Sequence, residues 1–170
     1  MNLAQANEQQ RAQDVGLLLL RACLGLTMAG HGAQHLFGWF GGVGLTATGK
    51  SFSANGYPSA DVMAVIAGVS ELLGGLGLAF GLLTPLAAAA VIGTMINAAA
   101  VKWPGGYFLP KGMEYEFALA VSAAALALTG PGRIAVDRFL PLLRTHRLTY
   151  GIAAVALGVV SGAGVLLTRS

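Results

Sequence analysis

The sequence predicts an all-α protein, a polytopic membrane helix bundle, and three observations point there. Hydrophobic residues make up 55% of the 170 positions, and only 10% are charged, against about 25% in soluble domains. A soluble chain of this size cannot hide that much apolar surface, because a large share of its residues must face water. The apolar runs are continuous and rich in Ala, Leu and Gly, with none of the alternation that marks barrel strands. A soluble enzyme and a disordered segment are therefore excluded. Nucleic-acid binding is excluded too: the formal net charge is only +3 and the basic residues are scattered, without a dense basic stripe. The single cysteine, Cys23, rules out an intrachain disulfide and any thiolate cluster.

The chain divides into a polar N-terminal segment (1–14), a membrane domain (15–140), and a linker with an additional C-terminal span (141–170). Residues 1–14 carry mixed charge, and the apolar run behind them is long enough to cross a bilayer, so this start does not read as a cleaved signal peptide. Five spans are expected: Val15–Leu36, Ala60–Leu83, Leu86–Val101, Tyr115–Thr129 and Tyr150–Leu167. The third and fourth fall short of the roughly 20 residues a crossing needs, so they draw on their flanking loops. The segment from Phe37 to Ser59 reads as a Gly-, Ser- and Thr-rich loop with interleaved aromatics, a composition suited to the headgroup zone. Thr84-Pro85 makes a tight turn, with Pro85 opening the next helix. The loop from Lys102 to Met113 is again aromatic. That from Gly130 to Leu148 concentrates Arg133, Arg138, Arg144 and Arg147, which places this loop and the N-terminus in the cytoplasm and the C-terminus outside.

Charge at membrane depth costs at least a few kcal/mol, so each buried polar residue needs a reason. On a helical wheel Arg21, Gly25, Met28, Gly32 and His35 share a stripe, as do Gly68, Glu71, Gly75 and Leu78 on the second span. Glycines beside a charge let another backbone approach. The first two spans are thus expected to face each other, with Arg21 and Glu71 on the shared seam, about 8 Å apart in depth. That pair reads either as a structural ion pair or as a ligand or proton site. His31 and His35 stand one turn apart, a spacing that can chelate a metal, but nothing in their span completes a site, and no metal or haem is expected. Hydrogen bonding to a quinone-type carbonyl, proton exchange with water, and interfacial packing remain open for them. Glu114 and Glu116 open the fourth span, where carboxylates favour the helix dipole; two residues apart, they cannot share a face, so one points inward and the other to solvent. Asn97 is placed to hydrogen-bond across helices. Cys23 reads as a buried packing residue, and Asp137 and Arg138 as needing only water.

Three segments together resemble the DoxX family of small bacterial membrane proteins: LRACLGLTMAGHGAQHLFG, GVSELLGGLGLAFGLLTPLAAA and KGMEYEFALAVSAAALALTGPGRIAVDRFL. The resemblance runs from about Leu18 to Leu140. It implies a four-helix membrane core in the bacterial inner membrane, with the fifth C-terminal transmembrane helix as an addition. It also implies that Arg21, Glu71, Glu114 and Asp137 fall on charged positions of the family pattern. His31-Gly32 matches, while His35 stands where the family usually has a lysine, a role that histidine could keep only in a pH-dependent form.

Three functions follow as expectations, in descending order. One is a small membrane subunit of a quinone-linked redox or oxidative-stress complex, with Arg21, His31, His35, Glu71, Asn97 and Glu114 as candidates for ligand binding or proton transfer. Its electrons would come from a protein partner or a bound cofactor, since only the lone thiol among its residues is redox-active. The other is a non-catalytic membrane anchor or accessory subunit that docks a partner protein. A transporter comes last, because no inverted repeat relates the halves.

Overall fold

The computed structural model describes residues 2–108, 110–141 and 143–170. These form six α-helices: α1 (Leu3–Phe37), α2 (Gly44–Ala54), α3 (Ala60–Phe80), α4 (Thr84–Lys102), α5 (Glu114–Thr129) and α6 (Leu148–Leu167). Single 3-10 turns at Trp39–Gly41, Trp103–Gly105 and Val136–Phe139 join them, and no strand occurs among the described residues. Among the described residues, four stretches are long and apolar enough to cross a membrane: α1, α3, Thr84–Gly105 and α6. Helix α5 has 16 residues, about 24 Å, which is short of a hydrocarbon core of about 30 Å.

The polar N-terminal stretch is helical from Leu3 onward and continues without a break into the first span as α1. A reciprocal capping box starts it, in which Asn2 Oδ1 accepts from the Gln5 N–H and Gln5 returns the bond. The Phe37–Ser59 loop contains α2, an amphipathic helix with Thr48 and Gly49 buried, which packs on α3 and α1. Glycine and serine lower helix propensity without forbidding a helix that a neighbour supports.

Glycine positions set the packing. A Cβ added at Gly25 would collide with the backbone of Ala79 and Gly75, and one at Gly32 with Leu72 and Gly68. Helices α1 and α3 therefore run antiparallel in backbone contact, which makes this the most extensive helix pair in the bundle. The expected seam is present. Helix α6 packs on α4 in the same way, with Gly158 against Ala89 and Ile92 and Gly162 against Gly93. Leu24, Met28, Leu78, Val91, Ile92 and Leu126 fill the centre. Large apolar side chains face outward all round, among them Leu19, Leu73, Leu86 and Val160, as expected where lipid is the solvent.

The close approach predicts its own test. Gly32→Leu or Gly75→Leu should lower stability by about 1–3 kcal/mol or prevent folding. Gly16→Leu, at a position with open space around it, should change little. Thermal unfolding in mild detergent measures both.

Candidate functional site

The α1–α3 register decides which polar groups meet. Helical side chains lean toward their own N-terminus. His35 lies about level with Gly68 and leans inward, while Glu71, one turn deeper on the antiparallel helix, leans back toward it. His35 Nδ1 and Glu71 Oε2 are 2.7 Å apart, with Glu71 buried and the His35 side chain about one-third exposed. Glu71 is near the middle of the 21-residue α3, about 16 Å from its start and about 14 Å from its end.

Arg21 does not meet Glu71. Its guanidinium packs beside Gly81, just past the end of α3; ten residues separate Gly81 from Glu71, about 15 Å rather than the 8 Å expected. Its Nη2 instead donates to the Ile134 carbonyl, while Nε and Nη1 are buried without a partner among the described residues. Asp137 lies near it and is nearly fully buried, a correction to its reading as a hydrated loop residue. The Asp137 carboxylate accepts from the Leu83 N–H at 2.6 Å and the Thr84 N–H at 2.9 Å, and its own N–H donates to Gly81 O at 2.8 Å. It caps α4 from 53 residues away in sequence. The bond also holds Leu83 at φ 49°, a left-handed conformation costing about 1–2 kcal/mol for a side chain of this kind. Asp14, likewise buried, accepts from the Arg133 N–H at 2.9 Å. Three buried charges thus fasten the 130–140 segment across one end of the bundle.

The remaining candidates lie toward the other end. His31 Nε2 is 3.1 Å from Tyr115 Oη, with the rings edge to face, which bridges α1 to α5. Asn97 hydrogen-bonds across helices as expected: its Nδ2 donates to Gly162 O at 3.1 Å and to Gly93 O at 3.0 Å, and its Oδ1 accepts from Tyr57 Oη at 3.1 Å. Burial pushes the Tyr57 phenol up, with Arg169 pulling against it, so the hydroxyl stays a donor. Glu114 is half-buried at the start of α5. Its neighbour Glu116 is the buried one, paired with Lys102 Nζ at 2.5 Å, and its Oε2 has no partner among the described residues. The alternation of the two acids was legible, but which of them turns inward depends on Lys102, which the sequence places in a loop. Tyr115, Tyr57 and Lys102 carry no sequence motif that would have singled them out. Cys23 is exposed on the bundle surface rather than buried. Among the described residues, no three His, Cys, Asp or Glu side chains converge.

The DoxX family model matches residues 16–103, from α1 to the end of α4. The segment from Lys111 to Leu140, for which the sequence reading also expected the family, lies outside that match. A protein of Bacillus subtilis (strain 168) named "Putative oxidoreductase CatD" is 30% identical over 127 residues, covering 75% of this chain and 88% of that protein. No solved structure matches significantly.

The cap predicts that Asp137→Ala lowers stability by about 2 kcal/mol, since it strands two backbone donors and a buried arginine. Arg138→Ala, at the exposed neighbour, should stay within about 0.5 kcal/mol. Thermal melts of the two variants in one detergent make the comparison.

Proposed function

The chain belongs to the DoxX family, and on that premise we propose that it is a small membrane subunit of a quinone-linked redox or oxidative-stress complex. The observation that carries this reading is a carboxyl at mid-helix depth, bonded to a histidine that is one-third exposed. A charge so placed is costly unless it serves a ligand or a proton. The residues suit a quinone headgroup. His35, His31 and Tyr115 offer hydrogen-bond donors for a carbonyl, and Glu71 can hold a proton. A quinone held there would supply two-electron, two-proton chemistry, with its electrons drawn from a partner protein. The name of the Bacillus subtilis relative, an oxidoreductase, supports the same class of chemistry.

In this reading the protein lies in the cell (inner) membrane with its N-terminus and the 130–147 arginines in the cytoplasm and its C-terminus outside, as the arginine concentration favours. Arg21 then has a structural role. It sits at the opposite end of the seam from Glu71 and holds the 130–140 segment.

A second reading rests on the turns at Trp39–Gly41 and Trp103–Gly105, where Trp39, Phe40, Trp103 and Phe108 are all exposed. These aromatics suit a headgroup layer, and equally a docked partner, as an accessory anchor would require.

Quinone content per protein, after purification in mild detergent, separates the two. The redox reading expects near-stoichiometric quinone in the wild type and its loss in a still-folded Glu71→Gln variant. Absence of quinone from both would sink that reading and leave the accessory anchor.

A further inference from the structure

The two ends of the seam differ: the His35 side chain is about one-third exposed, while Glu71 behind it is buried. His35 is two residues from the end of α1, and its hydrogen bond joins the Glu71 carboxyl to the part of the molecule that carries α2. There the Thr48 hydroxyl donates to the Gly44 carbonyl at 2.8 Å and lies 3.3 Å from the His35 carbonyl. In the other direction the path is shut. Gly25, Gly75 and Ala79 are in backbone contact, and Met28 and Leu78 have no exposed surface. Beyond them stands the buried guanidinium of Arg21, a fixed positive charge that opposes the entry of a second one in a low-dielectric setting.

We propose that Glu71 exchanges protons through His35 with one side of the membrane only, the side that bears the 37–59 segment. With Nδ1 protonated and donating to the Glu71 carboxylate, a proton from water adds to Nε2 and the Nδ1 proton passes to Oε2. This leaves a neutral imidazole protonated at Nε2 and a neutral carboxylic acid. Release runs the same two transfers in reverse, and no electron moves. Other titratable groups around this end include His31 on α1, Lys50 on α2, Asp61 on α3, Lys102 on α4, and Glu114, Tyr115 and Glu116 on α5, with Tyr57 just after α2 and Arg169 just after α6. Of these, His31 is held by Tyr115, and Lys102 by Glu116. The inference deepens the quinone reading by giving its proton store a side, but it needs no quinone to be tested.

The test uses the full chain in sealed, quinone-free proteoliposomes, with orientation read from trypsin access to the arginine segment. The carboxylic-acid band that Glu71→Gln removes from the infrared spectrum is followed after a pH jump applied to one face. The band should respond to a jump on the face bearing residues 37–59 and not to one on the arginine face. In His35→Gln, which keeps an amide donor for Glu71, the response should slow roughly a hundredfold, as expected for loss of a positioned proton-transfer group. A response to the arginine face, or an unchanged rate in His35→Gln, would overturn the proposal. If that variant does not fold, the sidedness of the wild type decides alone. Quinone content is a separate measurement, so either reading can fail without the other.

Discussion

Backbone contact between α1 and α3 is the constraint on which the rest of this protein depends. In lipid, helices gain little from burying apolar side chains against one another, so close approach of small residues supplies much of the attraction. Gly25, Gly32, Gly68 and Gly75 permit that approach at two levels of the seam, and two levels are enough to fix an antiparallel register. Once the register is set, the N-terminal lean of helical side chains leaves few choices. His35 and Glu71 lean toward each other and bond, while Arg21 leans away to the far end.

The charges of the two ends then have different work. At the arginine end, Asp14, Arg21 and Asp137 are each buried against backbone groups of distant segments. They hold the 130–140 segment on the bundle and complete the start of α4, where a turn of only three residues between α3 and α4 leaves helix N–H groups unpaired. At the other end, alongside bonds to backbone carbonyls, four contacts join side chain to side chain between distant segments: His35 with Glu71, His31 with Tyr115, Tyr57 with Asn97 and Lys102 with Glu116. Side chains that bond one another can exchange protons or turn to a ligand more readily than an arginine fastened to a carbonyl. That difference is why the candidate site belongs to the His35 end.

Much of this was legible in the sequence. Long apolar runs located the helices, and the glycine stripes beside Arg21 and Glu71 identified the seam and both its faces. The partner of Glu71 was not legible by the same reasoning. Depth counted from the start of an apolar run brought Arg21 too close, whereas the true offset depends on a register that only the facing glycines of two helices determine together. His35, on the same stripe, was the residue one turn away in the direction that side chains lean. Asp137 escaped for another reason: a cap contributed from a distant loop leaves no local spacing to read. Helix α2 was hidden because its Gly-, Ser- and Thr-rich sequence has weak helical preference without the surface of α3 beneath it. Asn97, mid-helix and polar, announced its cross-helix bonds plainly.

The His35–Glu71 bond is the central claim, and a distance measured by solid-state nuclear magnetic resonance in bilayers tests it most directly. With nitrogen-15 in the histidine rings and carbon-13 in the glutamate carboxyls, and Glu71→Gln used to assign the signal, a strong dipolar coupling between His35 Nδ1 and the Glu71 carboxyl is expected at hydrogen-bond range. A Glu71 carboxyl coupled instead to the Arg21 guanidinium, or to neither group, would contradict the account.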